Sequence, residues 1–536
     1  MHVPDFHTRL TIPRLLVERA AQLGAKPYVR YGADVLSYER VVTLSEAAAA
    51  RLRHDFGIPA GAASALLLPN GSAFIQSWFA SLFAGLADVP INHDFRKTAL
   101  LFGLQNSDAR VVFCDAGGME ALLDEEVSDF LNGVTLIVLT EAADVAPARD
   151  RLATLRSPPQ AVALAELTAG RESRRLWEDI EGTALASVRY TSGTTGLPKG
   201  IMHSHLHMLY KARAWNAIME YGSEDTLYSP FPLHHSLASN NGIIATLVAG
   251  GSFAGAVRFS ASGFWDDVRR EKATIGHILD PMVPLLLKQP PRPEDTEHSC
   301  RRLWTAWRNA DFERRYRTRL QPVYAMAEVG VVAFADSDAP DGSRNCGPAL
   351  PEMDVRIVDA ADQPLPVGEH GEIILRPREP HRVMLGYRAN LEATMRAFYN
   401  LWYHTGDEGF FDAQGDLHFL GRLGDGIRRR GVNISADQVE QELLRNPAVL
   451  ECAVVGVPSE LGEHDILAFV VWAEAPADEP AALKELGAFA LERMPKQYAP
   501  RYFQGIDSLP RTNTGKLQKR LLPVQPSTRR WDRDAA

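Results

Sequence analysis

At 536 residues the chain is too long for one hydrophobic core, so two or more domains are expected. Its 46% hydrophobic and 23% charged residues are those of an ordinary globular protein, and a net charge of −10 argues against a general binder of nucleic acid or acidic membranes. The four cysteines, Cys114, Cys300, Cys346 and Cys452, are too dispersed for a disulfide framework or a zinc site, so reduced thiols in a soluble, cytoplasmic protein are expected. The start, Met1-His-Val-Pro-Asp-Phe-His7, carries polar residues where a secretory signal needs an apolar core.

From Leu10 to about Gly57, helical periodicity alternates with a short strand around Tyr28–Tyr31. Ala63–Leu68 reads as an apolar strand ending at the turn signal Pro69-Asn70-Gly71. Phe74–Ile91 is the most apolar long stretch. Gln76, Ser77, Ser81, Gly85 and Asp88 interrupt it, so it reads as a buried helix running into a strand rather than a membrane span. A further helix, then strands at Arg110–Cys114 and Val134–Leu139, continue the alternation, which predicts a doubly wound parallel sheet. Ala142–Arg174 is Ala- and Pro-rich and weakly patterned, and reads as a surface connection.

The next stretch is Tyr190-Thr-Ser-Gly-Thr-Thr-Gly-Leu-Pro-Lys-Gly200, with four small hydroxyl side chains, three glycines and one lysine. A short strand over Ala184–Tyr190 precedes it. Leu206, Leu209, Tyr210, Ala214, Ala217 and Ile218 follow at helical spacing, so the loop is expected to join a strand to a helix. Glycines let backbone N–H groups turn inward, hydroxyls add neutral donors, and Lys199 adds a mobile positive charge. The chemistry is that of a triphosphate cradle. It is not the P-loop, because Leu197-Pro198 separates Lys199 from Gly196 and Gly200 follows it. It also lacks the G-x-G-x-x-G of dinucleotide binders. The three histidines just beyond, His203, His205 and His207, are expected to spread over different faces and are not read as a metal site.

This loop resembles the signature of the AMP-forming acyl-adenylate superfamily: acyl-CoA synthetases, peptide-synthetase adenylation domains and beetle luciferases. Further motifs extend the resemblance from about Ser37 to about Leu522. It implies that Thr191, Ser192, Gly193, Thr194, Thr195, Gly196 and Lys199 bind the phosphates of ATP. Tyr228-Ser-Pro-Phe-Pro-Leu-His-His-Ser-Leu237 is similar to the second landmark, which puts His235 at the border of the acyl pocket. Pocket walls are then expected near Trp215, Asn240 and Ala325–Val329 as well. Tyr324-Ala-Met-Ala-Glu328 stands in the place of Tyr-Gly-x-Thr-Glu, so Tyr324 would lie against adenine and Glu328 would hold Mg²⁺. Ala327 departs from that pattern by lacking the threonine hydroxyl, and Trp304–Asp311 lacks the Gly-Ala-x-Pro of the adenine loop.

Trp402-Tyr-His-Thr-Gly-Asp407 implies a carboxylate, Asp407, accepting both ribose hydroxyls, and Arg422 would reach ribose or phosphate. Gly424 falls at the hinge position, where the family has Asp or Lys. Arg428-Arg-Arg-Gly431 could line a thiol channel, with Gly431 giving backbone access to the pantetheine of CoA, or could be a solvated basic face. Leu509-Pro-Arg-Thr-Asn-Thr-Gly-Lys516 matches the last motif, with Lys516 as the catalytic lysine beside Lys199 and Glu328.

The implied fold is α/β: a large N-terminal domain of several subdomains with doubly wound sheets (1–422) and a small mobile α+β domain (423–523). Residues 524–536 read as a disordered tail. The implied activity is an ATP-dependent carboxylate–CoA ligase that forms an acyl-adenylate and then a thioester, using ATP, Mg²⁺ and CoA. Phe264-Trp-Asp-Asp-Val-Arg-Arg-Glu-Lys-Ala-Thr274 and Ile427-Arg-Arg-Arg-Gly-Val-Asn-Ile-Ser435 resemble the carnitine/crotonobetaine-type CoA ligases. Two alternatives stay open: a free-standing adenylation enzyme that loads a carrier protein, and a nucleotide-binding protein with weakened catalysis. The expected partners are a small carboxylic acid and CoA, with no nucleic acid and no transmembrane segment. Oligomeric state is open, a homo-oligomer included.

Overall fold

The computed structural model describes residues 9–170, 175–191, 199–279, 282–305, 308–335, 345–423, 426–429, 432–459, 464–494, 496, 498–511 and 517–535. Every residue of Ala63–Leu67, Ala87–Pro90 and Leu136–Leu139 is buried, as in a parallel sheet covered on both faces. In this first eight-stranded sheet Ala63–Leu67 lies between Ala87–Pro90 and Ala109–Cys114. Leu136–Leu139 and Gln160–Ala163 extend it in parallel. On the other side Leu185–Thr191 runs parallel to Ala87–Pro90, and Lys199–Ser204 and Gly386–Tyr387 add antiparallel neighbours.

A second eight-stranded sheet runs Gly330–Phe334, Arg319–Met326, Arg302–Thr305, Ile275–His277, Thr226–Ser229, Ser252–Gly255, Pro27–Tyr31, Asp34–Ser37. It is parallel except at its two outermost pairings. Helix His205–Met219 packs against strands of both sheets. Ser204 caps it, its Oγ accepting the His207 N–H at 3.1 Å. Because both sides of this helix are covered, even His205, His207 and Lys211 are buried.

A four-stranded antiparallel sheet follows, built from Met353–Val358, Gly371–Pro377, Tyr403–Phe411 and Leu417–Arg422. The C-terminal part has the hairpin Gly426–Arg429/Val432–Ser435. Beyond it, strands Val449–Pro458, His464–Trp472, Tyr502–Gly505 and Arg530–Asp532 form a sheet, with helices Ala436–Leu444 and Glu479–Arg493. The fold is therefore α/β, with a large N-terminal portion and a smaller α+β C-terminal portion, as expected.

Four local expectations change. The glycine-rich loop joins two antiparallel strands, Leu185–Thr191 and Lys199–Ser204, and the helix starts only at His205. The stretch after Ala142 is not merely a connection: Val145–Leu152 is a helix and Gln160–Ala163 an edge strand. His203 and His207 do not diverge, for their Nδ1 atoms lie 3.1 Å apart. Finally, Arg530–Asp532 is a strand within the expected tail; Trp531 packs against Phe503, and Asp532 pairs with Arg501 at 3.1 Å. Among the described residues no helix is long and apolar enough to cross a membrane.

Candidate active site

Lys199 opens its strand and is exposed, its ammonium 4.9 Å from the centroid of the Tyr387 ring. Tyr387 is brought there by the two-residue strand Gly386–Tyr387, which pairs with Met202 and Ile201. Gly386 has φ +129°, and a Cβ there would come within 2.9 Å of Thr394 Cγ2, so the approach requires glycine. The Tyr387 hydroxyl donates to Glu328 Oε1 at 3.1 Å. Burial first, then the Glu328 carboxylate, pushes that hydroxyl well above its usual value, which keeps it a donor.

A second set forms where strand Arg319–Met326 meets the antiparallel sheet. Asp407 and Arg422 face each other across neighbouring strands, and Arg422 Nε lies 3.1 Å from Asp407 Oδ1. Arg422 also donates to the Thr405 carbonyl at 2.7 Å. The Tyr324 hydroxyl donates to Asp407 Oδ2 at 2.7 Å, and its ring stacks on Phe419. Asp407 is only 6% exposed, so its charge is carried by these two donors. Tyr324, Tyr387 and Tyr403 share one buried cluster, and the Arg422 charge is felt by Glu328 as well as Asp407. The two sets are thus one site.

The structure brings together Lys199, Glu328, Tyr324, Asp407 and Arg422 among the residues expected from sequence. His235 is exposed and does a capping task, its Nδ1 accepting the Leu237 N–H at 3.5 Å at the start of the short helix Ser236–Ala238. Beside it, burial pushes His234 down to about 3, and its Nε2 has no partner among the described residues. Trp215 is fully buried against Trp304 and His277, and Asn240 lies in the π-helical turn Ser239–Ile244. Thr191 is described by its backbone alone. Ser192, Gly193, Thr194, Thr195, Gly196, Gly424, Gly431 and Lys516 lie outside the described residues.

Residues missed by sequence reading include Tyr387, Tyr403 and Lys211. Tyr387 sits on a strand too short to leave a period, marked only by the Gly386-Tyr387 pair. Lys211 reads as a solvent-facing helix position but is 5% exposed; burial pushes its ammonium down to about 7 against the opposing pull of Glu328.

Among the described residues no cluster of three or more His, Cys, Asp or Glu could hold a metal ion. One carboxylate, Glu328, held by a neutral donor, fits Mg²⁺, which keeps most of its ligands as water and phosphate oxygens, and does not fit zinc.

Residues 16–388 match the AMP-binding enzyme family, and residues 438–516 match the AMP-binding enzyme C-terminal domain. The chain belongs to the AMP-binding enzyme family. It is 30% identical over 520 residues to a sulfoacetate–CoA ligase of Cupriavidus necator, covering 95% of this chain and 96% of that one. It is 28% identical over 491 residues to a crotonobetaine/carnitine–CoA ligase of Salmonella paratyphi B, with 88% and 90% covered, which bears out the resemblance seen in the sequence. In fold it is similar to an anthranilate CoA ligase solved with anthranoyl-AMP, with a TM-score of 0.82 at 22% identity, covering 97% and 98% of the two chains. The chain is an enzyme, an acid–thiol ligase of the AMP-forming class, whose chemistry uses ATP, CoA and Mg²⁺.

Proposed function

We propose that this enzyme activates a small carboxylic acid by joining it to AMP and then passes the acyl group to the thiol of CoA. The observation that carries the reading is the convergence of a lysine, two carboxylates and an arginine, Lys199, Glu328, Asp407 and Arg422, around three buried tyrosines. A carboxylate resists nucleophilic attack because of its charge and resonance. In the first step a carboxylate oxygen attacks the α-phosphorus of ATP, a P–O bond forms, and the bond to pyrophosphate breaks. Lys199 stabilises charge on the leaving phosphates, and Lys516 would offset the charge that builds as the nucleophile meets the α-phosphoryl group. Glu328 would hold Mg²⁺, which supplies further charge neutralisation on the phosphates when bound.

In the second step the thiol attacks the acyl carbon, loses its proton, and AMP leaves. Lys516 serves only the first step, so the small domain must move between the two. A division into 1–422 and 423–523 supports this, because it falls between the two matched regions, which end at 388 and begin at 438. Arg429 and Gly431 then lie on the moving side.

Asp407 orients the ribose, exchanging the Tyr324 and Arg422 donors for the sugar hydroxyls. Asp407→Asn keeps the shape and removes the charge. Its kcat/KM for ATP is expected to fall about 10- to 100-fold, the worth of a hydrogen bond to a charged group, with little change in KM for the acid. Steady-state kinetics with each substrate varied in turn checks this.

Pyrophosphate and AMP release, measured with and without CoA across a panel of acids that includes sulfoacetate and crotonobetaine, tests the whole reading. CoA-dependent AMP formation on one acid is the expected result. Adenylate without thioester would move the enzyme to carrier loading, and tight ATP binding with no turnover on any acid would overturn the ligase reading.

A further inference from the structure

The backbone that presents Glu328 is held with unusual completeness. The Ala327 carbonyl accepts the Lys211 ammonium at 2.7 Å. The Glu328 carbonyl accepts the Met384 N–H at 2.8 Å. The Val329 carbonyl lies 3.4 Å from His207 Nε2. Three consecutive carbonyls are therefore fixed, two of them by side chains four residues apart on one face of helix His205–Met219.

The protonation pattern is consistent along this line. His207 is buried and neutral, so Nε2 must carry its proton to donate to Val329, which leaves Nδ1 an acceptor. His203 Nδ1, 3.1 Å away, then donates to it, and the His203 Nε2 left over is the atom with no partner among the described residues. Gly330 belongs to the same arrangement. Its φ is +99°, and a Cβ there would come within 2.7 Å of Lys211 Cγ, so glycine makes room for the lysine stem. Among the described residues no carboxylate forms an ion pair with Lys211. Burying an ammonium to hold one carbonyl is a costly way to gain stability alone.

The geometry points to Lys211 and His207 as positioning residues that fix the peptide run 327–329 and so aim the Glu328 carboxylate at the metal–nucleotide. Neither touches the reacting atoms. The inference rests on the proposed role of Glu328, and its test separates the two. Mn²⁺·ATP and metal-free ATP are titrated into wild-type, Lys211→Met, Lys211→Arg and Glu328→Gln proteins by calorimetry, with thermal midpoints measured alongside. Removing a partner that orients a metal ligand typically weakens metal affinity 10- to 100-fold, so Lys211→Met is expected to weaken Mn²⁺·ATP about 10-fold. Metal-free ATP should bind as before, and Lys211→Arg should restore most of the loss.

If Glu328→Gln leaves Mn²⁺·ATP affinity unchanged, the role of Glu328 is wrong. If Glu328→Gln weakens it and Lys211→Met does not, positioning by Lys211 is wrong. Equal weakening of ATP with and without metal, together with a lowered midpoint, would reduce Lys211 to a structural role and also overturn the inference. Should Lys211→Met fail to fold, Lys211→Gln, which keeps a shorter donor, carries the same comparison.

Discussion

A Lys516→Ala enzyme is expected to form pyrophosphate from ATP and acid about 10²–10³-fold more slowly than wild type, the usual effect of losing one preorganised donor to developing charge. Thioester formation from added acyl-adenylate and CoA should be nearly unchanged, because that half-reaction needs no charge on the α-phosphoryl group to be offset. Among the described residues on either side, Arg511 and Leu517 form a bridge, Arg511 pairs with Glu451 at 2.9 Å, and Lys519 pairs with Glu440 at 2.7 Å. Isotope exchange between pyrophosphate and ATP, beside a single-turnover thioester assay, measures the two steps apart. Unchanged exchange would sink the assignment.

Much of this was legible in the chain because it is local. Strands such as Ala63–Leu67 are buried on both faces, so they appear as unbroken apolar runs, and the glycine-rich loop stands out by composition. Contacts between distant positions leave no such trace. Tyr324 meets Asp407 across 83 residues and Glu328 meets Tyr387 across 59, and no period links either pair. Helical spacing after the loop marks the helix, yet nothing local marks Lys199–Ser204 as a strand, because its pairing is set by the return of the chain onto Leu185–Thr191. Arg529, Arg530, Asp532 and Arg533 make the C-terminal stretch look solvated. Trp531 nevertheless fills the space above Gly487, where a Cβ would come within 2.5 Å of its ring, and Arg501 holds Asp532. Charge in a sequence signals exposure only when no partner awaits it.

Asp88 and Arg189 carry the largest expected effect on stability. They come from adjacent parallel strands, Asp88 pairing in register with Ser187, and Arg189 Nη2 lies 2.9 Å from Asp88 Oδ2. The residues are 0% and 3% exposed. Ser187 Oγ donates to the same carboxylate at 3.2 Å, and the guanidinium lies over the Trp78 ring. Burial pushes the Asp88 carboxyl up, against the pull of Arg189, so the pair gains little as a pair. Breaking it is another matter. Asp88→Ala would strand a guanidinium among other buried nitrogen bases, since Lys211 and His203 already feel the Arg189 charge. A loss of about 3–5 kcal/mol is expected in denaturant unfolding. Asp88→Leu combined with Arg189→Met should recover most of that loss, because the double change removes both charges and keeps the volume. Arg189 stands two residues before Thr191, on the strand that leads into the glycine-rich loop, so stability must be read from unfolding and not from activity. If Asp88→Ala costs no more than about 1 kcal/mol, the value of an exposed pair, water must reach this site and the enclosed core drawn here is wrong.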